Sequence, residues 1–166
     1  MSHSDTSETA DRTTRHLALV AGVALAVLAV DQLSKWWALE TLDDQVIDVV
    51  WTLRFNLTFN RGAAFSMGGG GGFGPLIGVL AVGVVVLLLY AGRQFRTKPA
   101  AVALGLVLGG AVGNLCDRAF RGEGFMQGAV IDFIDVQFWP VWNVADMGVV
   151  VGGVMLAFIG MRHDPA

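Results

Sequence analysis

Four stretches of the chain run nearly free of charge: residues 17–39, 73–92, 100–117 and 143–161. A hydrocarbon core of about 30 Å is crossed by roughly 20 mostly apolar helical residues, so each stretch predicts a membrane-spanning helix. Between the first two the period changes. Ile47, Val49, Trp51, Leu53, Phe55, Leu57 and Phe59 alternate with Asp48, Val50, Thr52, Arg54, Asn56, Thr58 and Asn60. That pattern predicts a strand with one greasy and one polar face, lying along the membrane surface within a β segment of about residues 42–66. It would serve either as an ordinary amphipathic hairpin or as a platform that pairs with an extended peptide. Residues 60–66 end the strand, and five consecutive glycines, 68–72, lead into the second helix as a flexible connector. The predicted fold class is an all-α membrane protein with four transmembrane helices and a small extracytoplasmic β-rich cradle between helices one and two. It forms one domain over 17–161, with a mobile tail at 1–16 and a short tail at 162–166.

Composition agrees with a membrane protein. Apolar side chains make up 54% of the 166 residues and charged ones 15%, and the mean hydropathy is +0.60, too apolar for an ordinary soluble domain. Arg12 and Arg15 before the apolar run 17–30 have the look of a secretory signal peptide. No small-x-small cleavage site follows, however, and Asp31-Gln32 continues into Ser34-Lys35-Trp36-Trp37, so the first helix is expected to be retained.

Charge sets an orientation. Arg93, Arg96 and Lys98 occupy the short connection between helices two and three without an acid among them, which places that connection and both termini in the cytoplasm. Trp36, Trp37, Trp51, Trp139 and Trp142 fall at the other side, as do Glu40, Asp43, Asp44, Asp48, Asp117, Glu123, Asp132, Asp135 and Asp146. Function is therefore sought at the extracytoplasmic face. Gly105, Gly109 and Gly113 in the third helix, with Gly148 and Gly152 in the fourth, predict that these two helices pack closely.

Several chemistries are excluded. One cysteine, Cys116, allows neither an internal disulfide nor a cysteine zinc cluster. His3, His16 and His163 lie near the chain ends and no HExxH spacing exists, so no metal or other cofactor is expected. A formal charge of -3 without a basic stripe argues against nucleic acid as a partner. Ser34 and Lys35 are adjacent and do not face each other on a helix, and Ser66 has no histidine partner, so a serine nucleophile is poorly supported.

Carboxylates remain. Asp31 and Lys35 are four apart on one helix face, in the order that favours pairing. Asn114, Asp117 and Arg118 cluster at the end of the third helix, either as headgroup anchors or as supports for other polar groups. Asp146 sits where an acid favours the start of the fourth helix, behind Pro140 and a candidate cap at Asn143. Asp132 lies in an apolar, strand-like run. Two carboxylates brought together in a poorly solvated place titrate as a unit. They can then act as acid and base together. A transporter would need polar groups along a whole helix face, whereas here they collect at one end; a non-catalytic scaffold would use the acids only as caps and anchors.

Five ordered segments resemble lipoprotein signal peptidase (signal peptidase II), a family of bacterial membrane aspartyl proteases. They are Asp31-Gln32-x-x-Lys35; Asn60-x-Gly62-Ala63-Ala64-Phe65-Ser66; Gly109-Gly110-Ala111-x-Gly113-Asn114-x-x-Asp117-Arg118; Val130-x-Asp132-Phe133-Ile134-Asp135; and Asn143-x-Ala145-Asp146. The resemblance implies that Asp132 and Asp146 are a catalytic dyad. It implies further that Asn60, Gly62, Asn114, Asp117, Arg118, Asn143 and Ala145 line or brace the site, with Asp31 and Lys35 supporting it from the first helix. Implied with these are a substrate, a diacylglyceryl-modified prolipoprotein cut just before its lipidated cysteine; globomycin-type cyclic peptides as inhibitors; membrane lipid as a partner; and residence in the bacterial inner membrane. Two departures stand out: Trp142 where the family usually has Phe, and a longer stretch between Arg118 and Asp132 than many members carry.

Overall fold

The computed structural model describes residues 3–62, 74–92 and 97–161. Its elements in chain order are α1 (His3–Thr41), β1 (Ile47–Val50), β2 (Leu53–Asn60), α2 (Gly74–Gly92), α3 (Lys98–Phe120), β3 (Val130–Asp135) and α4 (Val144–Met161). Among the described residues, three helices are long and apolar enough to cross a membrane: Thr13–Thr41, Lys98–Phe120 and Val144–Met161. The stretch predicted as the second span forms α2. Residues 63–66, the glycines 68–72, Arg93, Arg96, Arg162 and His163 lie outside the described residues.

α1 begins at His3, so helix extends through the stretch expected as a tail. From His3 to Ala21 there is no Gly or Pro to stop it. α3 starts at a cap, where Thr97 accepts from the Ala100 N–H at 3.4 Å and Pro99 occupies the first turn.

α3 is the central helix, packed against α1 on one side and α4 on the other. The α3 glycines are divided between them. Gly105 and Gly109 face Val20, Val23, Ala24 and Val27 of α1, whereas Gly110 meets the Ala145 carbonyl of α4 with no room for a Cβ. From the α4 side, Gly152 meets the Ala103 carbonyl and Gly148 the Leu106 carbonyl. Helices three and four do sit together, but Gly105 and Gly109, expected at that contact, serve α1 instead, and Gly113 meets Asp31 of α1 more closely than Ala145 of α4.

The predicted single strand over 47–60 is a hairpin. β1 and β2 pair antiparallel around Trp51-Thr52, with Trp51 at φ 57°. The turn contains none of the Gly, Asn or Asp that usually mark one, and the alternation runs through it. β3 adds antiparallel to the other edge of β2, pairing Asn60 with Val130 and Thr58 with Asp132, to give the order β1-β2-β3. Part of the greasy face, Ile47, Phe55 and Leu57, packs against the last turns of α1, while Val49, Trp51 and Phe59 are exposed. Trp37 meets the Phe55 ring edge-on at 5.3 Å, and Ala38, Leu42 and Phe133 form the buried centre. The long stretch before β3 folds back on α3, where the Gly128 N–H donates to the Arg118 carbonyl at 2.9 Å.

Candidate active site

Asp132 and Asp146 are brought together by one side chain. Asn143 precedes α4, and its Oδ1 accepts from the Asp146 N–H at 3.0 Å while Asp146 Oδ2 accepts from the Asn143 N–H at 3.3 Å. This is the reciprocal capping expected of an amide and an acid three apart at a helix start. The same Asn143 donates Nδ2 to Asp132 Oδ1 at 2.6 Å. The cap that starts α4 is thus also the link to β3.

Each carboxylate has a second amide. Asn60, at the end of β2, donates Nδ2 to Asp132 Oδ2 at 3.0 Å, and its own Oδ1 accepts from the Gly62 N–H at 2.9 Å. Gly62 has φ 91°, a backbone that a side chain would strain. Asn114 donates Nδ2 to Asp146 Oδ1 at 2.8 Å, and its Oδ1 accepts from Lys35 Nζ at 2.9 Å.

Behind these amides lies a buried ionic cluster. Lys35 is fully buried, 2.9 Å from Asp31 Oδ2 and 2.7 Å from Asp117 Oδ2, both also fully buried. Asp31 Oδ1 accepts from the Ala145 N–H at 2.9 Å and so fastens α1 to the start of α4. Asp117 accepts from the Ile131 N–H at 3.2 Å and from Arg121 Nε at 2.8 Å, which fastens α3 to β3. Asp117 is therefore an internal support, not a headgroup anchor. A Cβ on Gly113 would stand 2.5 Å from Asp31 Oδ2, so the cluster occupies the space that this glycine leaves.

Burial pushes Asp132 up to about 6, against the pull of the Asn60 amide and reinforced by the negative charge of Asp146. Asp135, further along β3, is also buried, yet Arg54 at 2.8 Å and the Gln137 N–H at 2.6 Å hold it below the usual carboxylate range. The two strand acids thus have opposite characters: Asp135 is a paired structural anion and Asp132 is primed to hold a proton.

A cavity of about 640 Å³ opens beside the pair. Asn60, Asn114, Arg118 and Asp146 are among the polar residues of its wall, and most of the remainder is apolar, including Leu115, Val149 and Val150. Asp146 faces this cavity, while Asp132 is only 2% exposed and enclosed by its amide partners. Among the described residues no three His, Cys, Asp or Glu converge as metal ligands would.

All eleven residues named from the sequence meet here or directly behind. Two supports escaped the sequence. Gln32 donates to Asp31, to the Gly113 carbonyl and to Asp117 at 3.1, 3.2 and 3.3 Å, and Arg121 pairs with Asp117. Arg121 was accessible from its four-residue spacing after Asp117; Gln32 carried no signal beyond its place in the first segment.

Residues 23–162 match the family model described as Signal peptidase (SPase) II. The chain belongs to the signal peptidase II family. It is 42% identical over 153 residues to the lipoprotein signal peptidase of Mycobacterium avium (strain 104), covering 91% of this chain and 83% of that one. To the lipoprotein signal peptidase of Rhodococcus jostii (strain RHA1) it is 45% identical over 155 residues, 89% of this chain and 75% of the relative. A bacterial membrane enzyme solved by the in meso method has the same fold, with a TM-score of 0.74 at 24% identity over 88% of this chain and 94% of the other. Membership in the signal peptidase II family makes the chain a protease of a membrane-embedded type, and the site described above is where its chemistry is sought.

Proposed function

We propose that the chain is a membrane aspartic endopeptidase that removes the signal peptide from diacylglyceryl-modified prolipoproteins, cutting just before the lipidated cysteine. The observation that carries this reading is Asn143, which donates to Asp132 and caps the helix start that carries Asp146 at an apolar cavity. Family membership and the names of the relatives support the substrate.

Burial favours the pair's shared proton on Asp132, leaving Asp146 to take a proton from a water held in the cavity. The water attacks the scissile carbonyl as the other carboxyl donates to its oxygen. The tetrahedral species then collapses as the C–N bond breaks and Asp146 returns its proton to the leaving nitrogen, so no covalent enzyme adduct forms. Asn60, Asn114 and Asn143 fix the two carboxyls; Asp31, Lys35 and Asp117 fix the amides and backbones that carry them. Gly62 and Ala145 contribute the backbone N–H groups described above.

In this reading α2 is a fourth membrane span, both termini are cytoplasmic and the site opens at the extracytoplasmic face of the inner membrane. The domain covers 17–161. Acyl chains of the substrate stay in lipid beside the cavity while the polar edge of the sheet receives its backbone. Globomycin-type cyclic peptides would compete at the same place.

The test is gel-shift cleavage of a diacylglyceryl-modified prolipoprotein by wild type, Asp132→Asn and Asp146→Asn, each checked for folding in detergent. Both folded variants are expected to be inactive. Cleavage that survives in either removes the dyad, and a wild type that never cleaves returns the chain to a scaffold or transporter.

A further inference from the structure

Gly78, near the start of α2, has no room for a side chain. A Cβ there would stand 2.9 Å from both Cβ and Cγ of Met126 and 3.2 Å from its Sδ. Met126 lies in the stretch between α3 and β3, and its φ is 56°. Such a left-handed backbone is uncommon for any residue with a side chain and an outlier for a bulky one. Glycine would relax it, and Gly122, Gly124 and Gly128 stand in the same stretch. A side chain kept at a strained position calls for a cause. Its seat against Gly78 supplies one.

The stretch is itself fastened to the support of the dyad. The Gly128 N–H donates to the Arg118 carbonyl at 2.9 Å, and a Cβ on Gly128 would collide with the Asp117 carbonyl. Asp117 in turn holds the Ile131 N–H at 3.2 Å, directly before Asp132. Met126 is thus placed relative to the dyad, and it passes that placement on to α2. About one turn beyond Gly78, Ala81 lines the cavity that Asp146 faces, as does Val84. α2 also packs on α3. In the proposed reading α2 lies in lipid, which competes on equal terms for its apolar surface, so a knob seated in a notch is what gives this helix a register.

We propose that Met126 is a positioning residue for substrate: seated in the Gly78 notch, it holds α2 where Ala81 and Val84 form a wall of the cavity for the apolar part of the bound lipopeptide. This rests on the peptidase reading above. Met126 stands outside the cavity wall, so it acts on binding through α2 and leaves the chemistry of the carboxyls untouched.

The experiment measures cleavage of a diacylglyceryl lipopeptide in detergent by wild type, Met126→Gly, Gly78→Ala and the double variant. Each single variant is expected to raise KM about three- to tenfold, the scale of one buried methylene, with kcat within about twofold, as lost uniform binding requires. The double variant should return toward wild type, because the Cβ added at position 78 enters the space vacated at position 126. Spin labels replacing the exposed Val79 and Val151, in a Cys116→Ala background, report the separation of α2 and α4 without substrate. Their distance distribution should shift or broaden in each single variant and recover in the double. Single effects on KM that multiply in the double variant overturn the proposal, as does an unchanged KM in Met126→Gly or a loss of kcat in step with a lowered unfolding temperature. If wild type does not cleave, the peptidase reading itself fails; if wild type cleaves and the label distances do not move, only the role of Met126 fails.

Discussion

Lys35 Nζ stands 2.9 Å from Asn114 Oδ1, and this contact decides which way round the Asn114 amide lies. An ammonium only donates. The amide oxygen must therefore turn toward it and the amide nitrogen toward Asp146, where it is found at 2.8 Å from Oδ1. A buried charge on α1 in this way sets a hydrogen bond on a carboxylate carried by α4.

Replacing Lys35 by Met would leave Asp31 and Asp117 buried without their shared cation. Breaking a buried pair from one side costs about 3–5 kcal/mol, so Lys35→Met is expected to lower the unfolding temperature in detergent sharply. Lys35→Arg should not restore it, because a planar fork does not fit a slot built for a point charge. Wild-type stability in Lys35→Met would contradict the cluster's role.

Asn143 has two separable duties. Asn143→Ser keeps a helix cap but loses the donor to Asp132, whereas Asn143→Ala loses both. The Asn143→Ser variant is expected to keep the cap's share of stability yet cleave about a hundredfold more slowly, the scale of a misplaced catalytic group. The Asn143→Ala variant should lose a further ~1 kcal/mol of stability from the missing cap. Thermal unfolding and single-turnover cleavage measured side by side separate the two, and equal turnover in the Asn143→Ser and wild-type enzymes would sever the link between cap and dyad.

The pH dependence follows from Asp132. Its carboxyl is raised from 3.8 to about 6, first by burial, with the Asn60 amide opposing the rise. The folded state thus holds this proton more tightly than the unfolded one. The stability it contributes is fully present below pH 3.8 and is lost as pH rises through about 6. Cleavage that needs the shared proton should likewise fall as pH rises past an apparent pKa near 6. Asn60→Ala removes a donor that favours the ionised form, so the descending limb of kcat/KM is expected to move to higher pH. A limb that stays in place, or moves down, would show that Asn60 does not act on Asp132.

Glycines at two positions should respond in opposite ways. Gly113 has Asp31 Oδ2 at 2.5 Å from where a Cβ would lie, while Gly153 has nothing within 4 Å. Gly113→Ala is expected to destabilise the protein and depress cleavage together. Gly153→Ala should be neutral or stabilising by roughly 0.5–1 kcal/mol, the helix preference of Ala over Gly. Unfolding curves of the two variants in the same detergent decide the matter.

Much of this site was legible because its chemistry is expensive. Asp31, Lys35, Asn114, Asp117, Asp132 and Asp146 are conspicuous in an apolar chain, and their local spacings already paired Asp31 with Lys35 and made Asn143 a cap. What local spacing could not reveal is where distant segments meet. The Trp51-Thr52 turn was hidden because the irregularity between Asp48 and Val50 restores the phase that a two-residue turn shifts, so that Ile47 pairs with Phe55 and Asp48 with Arg54. The pairing of β2 with β3 was hidden because nothing in residues 53–60 names a partner 72 positions away, the separation of Asn60 and Asp132. The division of the α3 glycines between two neighbours was hidden for a related reason: a small residue marks a close approach but not the helix that makes it.

The bond from the Ala145 N–H to Asp31 joins residues 114 positions apart, and it bears on how the protein is born. A nascent chain meets Asp31, Lys35 and Asn60 early and the groups that satisfy them late. Until α4, which follows every other described element, reaches its berth, Asp31 lacks its backbone donor, Asn114 lacks Asp146 and no carboxylate pair exists. On the proposed reading, the newborn molecule therefore carries its own safety catch, with no dyad to cut with until α4 is in place.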